Sequence, residues 1–230
     1  MAVRTSPADG HALPDWARTR AGTDPGTVHL TVVDPGAVTP DAAQVCAGVL
    51  AGLGYRLVLT NAMAPDDADV FIAAGFTIRE SLDLLGRSLD SVPPRGARTR
   101  RAVDLRPVAA LDRRAFGARA LDVPALRDAI DATPTSRLRA VGPRPAPLGY
   151  AIAGVAGSRA YIQRLAVDPD ARRQGIARAL LTDGLRWARR RGASAVLVNT
   201  HRDNDAARTL YESAGFVLLP RGLHVLERTL

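Results

Sequence analysis

The sequence predicts an α/β protein of the α+β type, in which a unit of the C-terminal half recurs, shortened, near the N-terminus. Three observations predict it. Strand-like runs such as "VHLTVVDP" (28–35) and "SAVLVNTH" (194–201) alternate with stretches of helical periodicity. Within 148–169 two strand-like runs meet at a glycine-rich hairpin turn. Three segments also recur in the same order: "VVDP" (32–35) with "AVDP" (166–169), "VFIAAGF" (70–76) with "LYESAGF" (210–216), and "LDLLGRSL" (82–89) with "LHVLERTL" (223–230). Asp34 to Gly75 is 41 positions and Asp168 to Gly215 is 47, so the first copy is shorter by 6. Matches in consistent order favour a duplication over chance likeness of two strand–helix–strand units.

Residues 1–27 are rich in Pro, Gly, Thr and Asp and read as a flexible lead-in, with ordered structure beginning at the strand 28–35. Residues 39–54 read as a helix with Thr39 as N-cap, Pro40 at its first position and Gly54 as its stop. A strand (55–63), a short helix (65–75) and a strand region (76–89) complete a degenerate half, 28–90. "DSVPPRGARTRR" (90–101) reads as a linker into a second domain, 91–230. Helices follow at 107–120 and 122–132, then strands at 136–142 and 148–169. In 171–192, Ile176, Leu180, Gly184 and Trp187 share a face, beside Leu181, Leu185 and Ala188. Arg189, Arg190 and Arg191 suit the negative end of that helix, and Gly192 stops it. A strand (194–201), a helix (204–215) and a stranded tail (216–230) end the chain.

Composition narrows the partners. The net charge is +8 and the pI near 10.9, and all 31 basic residues are arginine. Such a balance suits an anionic partner: nucleic acid, an acidic membrane surface or a phosphate-bearing small molecule. Aromatic content of 4% leaves few stacking platforms for single-stranded nucleic acid. The basic run "RGARTRRAVDLR" (95–106) has no interleaved aromatic and reads as a charged linker, so nucleic-acid binding is not expected. No apolar run approaches the roughly 20 residues of a membrane span, and the N-terminus lacks an apolar secretion signal. Cys46, the single cysteine, lies in an apolar helical run and reads as a structural thiol in a cytoplasmic protein. The four histidines have no metal-ligand spacing, and no metal is expected.

The chemistry concentrates in "ARRQGIARALL" (171–181). The first N–H groups of a helix lack internal partners and carry the positive dipole end, where a phosphate fits. Gly175 and the small Ala177 leave room for close approach, and Arg172 and Arg173 add guanidinium groups suited to phosphate. Arginine in a first turn opposes the dipole, so an ordinary surface turn explains the placement less well than an anion site. There is no GxxxxGK[ST] and no GxSxG, and the glycines at 48, 52 and 54 form no dinucleotide fingerprint.

"LAVDPDARRQGIARALL" resembles the acetyl-CoA signature of the GNAT N-acetyltransferases, a strand and turn followed by R/Q-x-x-G-x-G/A, here Arg172, Gly175 and Ala177. "NTHRDNDAARTLYESAGF" resembles the family's N-x-x-A-x-x-x-Y-x-x-x-G-F element through Asn204, Ala207, Tyr211, Gly215 and Phe216. The resemblance covers about 100–230, and tandem arrangements occur in the family, including among mycothiol synthases. It implies a GNAT-like acyl-CoA N-acyltransferase fold, with a central mixed, mostly antiparallel sheet flanked by helices and a partial N-terminal repeat. It also implies acetyl-CoA as cosubstrate and an amine acceptor, a small molecule or a protein amino group, and leaves a homodimer open.

By the same resemblance, Leu165, Ala166 and Val167 run beside the pantetheine arm. Arg172, Arg173, Gln174, Gly175, Ile176 and Ala177 hold the pyrophosphate. Asn204 and Ala207 contact the cofactor arm, and Tyr211 also lies there, as the acid that protonates the leaving thiolate. Residues 150–167 carry no Asp or Glu, and the chain has only Glu80, Glu212 and Glu227. His201 is a candidate base, and none is assigned. The missing carboxylate keeps a non-catalytic acyl-CoA sensor or scaffold as the alternative. The first copy reads as catalytically silent: "DPGAVTPD" lacks the arginine pattern, Asp41 would repel a pyrophosphate, and Phe71 and Ala64 stand opposite Tyr211 and Asn204.

Overall fold

The computed structural model describes residues 13–22, 24–94, 98–102 and 104–230. In chain order the elements are β1 (Ala17–Ala21), β2 (Thr27–Val32), α1 (Pro40–Gly52), β3 (Leu57–Thr60), α2 (Pro65–Ala73), β4 (Thr77–Ser88), β5 (Arg100–Arg101), α3 (Leu105–Phe116), α4 (Val123–Asp131), β6 (Thr135–Val141), β7 (Gly149–Ala156), β8 (Arg159–Val167), α5 (Ile176–Arg190), β9 (Ala195–His201), α6 (Asp205–Ser213), β10 (Val217–Leu218) and β11 (Leu223–Thr229). They group into two compact units, Met1–Asp83 with Pro220–Leu230, and Leu84–Leu219. Among the described residues no helix is long and apolar enough to cross a membrane.

In the first unit β2 and β3 are parallel, as a strand–helix–strand crossover through α1 requires. β1 pairs antiparallel with β2, and β11 pairs antiparallel with both β3 and the first half of β4. Trp16, Leu30, Leu50, Val58, Phe71 and Leu226 belong to one buried core. Thr39 caps α1 by accepting from the Ala42 N–H, and Gly54 has φ +87°, the left-handed conformation expected of its stop. Cys46 is buried, and burial pushes its thiol up to about 11.

Two expectations change here. Ordered structure does not begin at residue 28, because 17–21 already forms β1, joined to β2 through a turn with Gly26 at φ +82°. The arginines alternating through "ARTRA" hid a strand whose hydrogen-bond partner supplies the order. Of the lead-in, 1–12 and 23 lie outside the described residues. The borders 28–90 and 91–230 also differ from the observed units, since the final strand joins the first unit and 84–90 the second. Arg87 donates to the Ala214 carbonyl at the end of α6, and Arg228 donates to the Ala74 carbonyl at the end of α2. Each copy's last strand thus serves the helix of the other copy, an exchange that linear order conceals.

In the second unit the strands run β4–β9–β8–β7–β6–β5, with β10 on β4. β7 is buried almost throughout, because helices cover both of its faces. Tyr150 and Ile152 turn into the core shared with Val108, Leu111 and Leu126 of α3 and α4. Ala151 lies with Ile176 and Leu180 of α5, and Ala153 and Val155 with Leu181 and Leu185. This period of two is the strand's own geometry. Gly149 permits the close approach of α5, since a Cβ there would lie 2.5 Å from the Ile176 side chain.

Candidate active site

The site begins where two strands part. β8 and β9 pair in parallel from Arg159–Ala195 to Ile162–Val198. Beyond Ile162, β8 stays paired with β7 as far as Val167 opposite Gly149, while its ladder with β9 has ended. The register shifts at that point: Ala153 faces Ile162 and Ile152 faces Arg164, so Gln163 is an extra residue, and a bulge of this kind bends the strand. Over Leu165, Ala166 and Val167, backbone groups turned toward β9 have no ladder partner. Each such group needs another acceptor or donor.

The chain next makes a short 3₁₀ turn at Pro169–Ala171 and an exposed loop, Arg172–Gly175. α5 starts only at Ile176, so Arg172, Arg173 and Gln174 precede the helix instead of forming its first turn. The dipole argument made for them therefore does not apply. The arginine of the first turn is Arg178, whose guanidinium donates to Ser213 Oγ at 3.1 Å. Arg173 has φ +61°, the one positive value at a non-glycine among the described residues, and Gly175 follows at φ +76°. Left-handed backbone at an arginine costs about 1–2 kcal/mol. No side chain caps α5, and its first turn has no acid. A Cβ on Gly175 would meet nothing within 4 Å, so the space in front of the helix is open. Ile176 is buried and anchors the helix start, with Ala177 half-buried beside it.

α1, its counterpart in the first copy, is closed by Thr39 and carries Asp41 in its first turn. The two helix starts therefore differ in charge and in free N–H groups.

At α6, Asn204 is the N-cap, with Oδ1 accepting from the Ala207 N–H at 3.2 Å. That oxygen is thus engaged in holding the helix. Ala207 is half-buried, and Tyr211 is buried, with its ring 5.6 Å from that of Phe216. Burial pushes the Tyr211 phenol up to about 12, against a smaller opposing effect from the Arg164 charge. His201 ends β9, its Nδ1 3.3 Å from the Asp203 carboxylate.

The acetyltransferase (GNAT) family profile matches residues 122–216. Residues 122–216 form a GNAT acetyltransferase domain. Mycothiol acetyltransferase of Geodermatophilus obscurus is 50% identical over 52 residues, 23% of this chain and 17% of that protein. The ribosomal protein bS18 alanine N-acetyltransferase of Escherichia coli is 40% identical over 67 residues, 29% of this chain and 45% of that protein. The chain thus spans less than half the length of these relatives. A tandem GNAT protein of the clavulanic acid pathway shares the fold, with TM-score 0.64 and 14% identity over 93% of this chain and 78% of that one.

The second unit also holds a polar cluster that the sequence did not single out. Asp112, in α3, is fully buried. Its carboxylate accepts from Arg164 Nε at 2.9 Å and Nη2 at 2.7 Å, from the Tyr150 hydroxyl at 2.7 Å and from the Leu121 N–H at 2.9 Å. Arg164 further lies over the Phe116 ring at 3.6 Å. The Asp112 carboxylate fixes Arg164, the residue between the bulge and Leu165. An acid on the apolar face of "VAALDRR" was the available signal: Val108, Leu111 and Asp112 are buried together. Asp168, at the end of β8, accepts from Arg114 Nη2 at 2.7 Å.

Proposed function

We propose that the GNAT domain transfers an acetyl group from acetyl-CoA to a primary amine by direct attack. The observation that carries this is the uncapped start of α5 behind the left-handed pair Arg173 and Gly175, at the end of a strand that has parted from its neighbour. Loop 172–175 and the first N–H groups of α5 would receive the pyrophosphate. Backbone groups of Leu165–Val167 would bond the pantetheine arm as a further strand does, with the Asn204 amide group and Ala207 alongside.

The amine nitrogen bonds to the thioester carbon, and the N–H near Val167 stabilises the oxyanion. The C–S bond then breaks, and the amine's surplus proton leaves to water or to His201. Tyr211 is the hydrogen-bond donor to the departing sulfur. With its phenol near 12 and a free thiol near 8.5, full proton transfer runs uphill, so Tyr211 acts mainly by hydrogen bonding to the developing thiolate. The acceptor class stays as broad as a small amine or a protein amino group. The reading assigns the reaction to the cytoplasm, a reducing compartment that suits the lone thiol of Cys46.

Thermal unfolding with and without acetyl-CoA tests the reading. Ligand at about 100 times its Kd adds roughly 2.7 kcal/mol of stability. The shift should vanish in Gly175→Trp, which fills the open space at the loop. A folded wild-type protein with no shift would overturn the assignment. Turnover follows from thiol release over a panel of small amines and peptide N-termini.

A further inference from the structure

A second cationic cavity, of about 570 Å³, lies within Leu84–Leu219 between the β5–β6 edge and α5. Its lining includes none of loop 172–175 and none of residues 176–178, and it meets α5 only from Ala179 onward. Arg98, Arg100, Arg139, Arg186 and Arg190 line it, with Asp183 as the one acid. Asp183 is already matched: Arg137, from outside the lining, donates Nη2 to its Oδ1 at 3.1 Å, and Arg139 Nε lies 3.7 Å from its Oδ2.

The arginines do not simply extend into water. Arg100 donates to the Gly142 and Pro143 carbonyls at 2.8 and 2.6 Å, Arg139 to the Thr99 carbonyl at 2.7 Å, and Arg186 to the Pro93 carbonyl at 3.0 Å. Carbonyls orient a guanidinium without cancelling its charge. The guanidinium groups of Arg98 and Arg190 make no hydrogen bond or ion pair among the described residues. Thr182, only 6% exposed, faces the same cavity, and its hydroxyl joins no hydrogen bond among the described residues.

Like charges held together in one concavity repel, and a bound anion relieves this. The geometry points to a second binding site here, for a small polyphosphorylated molecule. Five guanidiniums offer more donors than the roughly four lone-pair sites of one carboxylate can accept. Terminal and bridging phosphate oxygens match that number and the forked geometry. The volume is that of a small-molecule site, about 300–1,000 Å³. The basic run at 98–101, read from sequence as a linker, thereby acquires a role as one wall of the cavity.

The test is calorimetric titration of the full chain with tripolyphosphate, with and without saturating CoA. The comparison variant is Arg98→Gln/Arg190→Gln, which removes two guanidiniums that make no hydrogen bond or ion pair among the described residues. Saturable binding that persists with CoA and weakens at least about 10-fold in the variant, at unchanged melting temperature, supports the site. Absence of saturable binding overturns it. Binding abolished by CoA and indifferent to the variant also overturns it, and assigns the anion to the α5 start. Oligonucleotide binding that depends on the two arginines, without tripolyphosphate binding, overturns it in favour of a nucleic-acid surface. If CoA itself does not bind, the acetyl-CoA reading fails alone, and the arginine comparison still decides the cavity.

Discussion

Phe71 holds in the first copy the place that Tyr211 holds in the second. Each is buried, and each packs its ring against the phenylalanine five positions on, Phe76 at 5.3 Å and Phe216 at 5.6 Å. Each also accepts at its carbonyl from the N–H of that phenylalanine at 3.0 Å. The chain therefore contains its own near-isosteric control: the fold accommodates phenylalanine here, and at this position the side chains differ by the hydroxyl alone.

Tyr211→Phe should accordingly leave the melting temperature nearly unchanged and lower kcat about 100-fold, the low end for losing one hydrogen-bond donor to a developing negative charge. The KM for acetyl-CoA should move little. Steady-state kinetics with the best acceptor reads this, and unchanged kcat would remove Tyr211 from the chemistry.

Arg173→Gly separates strain from binding. Relief of left-handed strain is worth about 1–2 kcal/mol, and the extra chain entropy of glycine offsets about 0.5–1. The variant should match or slightly exceed the wild type in denaturant stability while binding acetyl-CoA more weakly by calorimetry. Unchanged affinity would show that the guanidinium has no part in the anion site.

Asp112→Ala leaves the Arg164 charge without its counter-ion, with only the Arg119 carbonyl as acceptor, and leaves the Tyr150 hydroxyl and the Leu121 N–H without theirs. Breaking a buried pair from one side costs about 3–5 kcal/mol. Tyr150→Phe removes one hydrogen bond and should cost about 1 kcal/mol. Urea denaturation compares the two, and equal losses would contradict the carboxylate as the centre of the cluster.

The Arg114 hydrogen bond, with smaller help from the Asp170 N–H, holds the Asp168 carboxyl below its ordinary value. A lowered carboxyl pKa stabilises the fold above the unfolded value of about 3.9 and ceases to do so as pH falls through the folded one. The melting-temperature gap between wild type and Arg114→Gln should therefore be present at pH 6 and close on acidification below about pH 4. Arg114 is half exposed, so the gap is small and shrinks in salt. A gap that widened on acidification would contradict the pairing.

Local signals in this chain were legible where one residue type has one physical use. Thr39–Pro40 opens α1, the stop glycines 54 and 192 take positive φ, and α5 shows its apolar face. Loop 172–175 and the Asn204–Tyr211 element were legible as local motifs for the same reason, since their residues lie within one turn-and-helix each. Asp112 was not, because its partners Tyr150 and Arg164 stand 38 and 52 positions away. β1 was missed because two alternating arginines outweighed a pattern that only β2 completes.

What the sequence determined by itself is the duplication, the order of the elements and the two motifs of the GNAT domain, all matters of spacing along the chain. Only the tertiary structure decided that Arg87 and Arg228 exchange between copies, that β8 parts from β9 at a bulge, and that five arginines from the 98–101 segment, β6 and α5 face one cavity. Local propensity and capping act within a few residues of each other, whereas strand pairing and charge convergence depend on chain closure over tens of positions, which periodicity does not record.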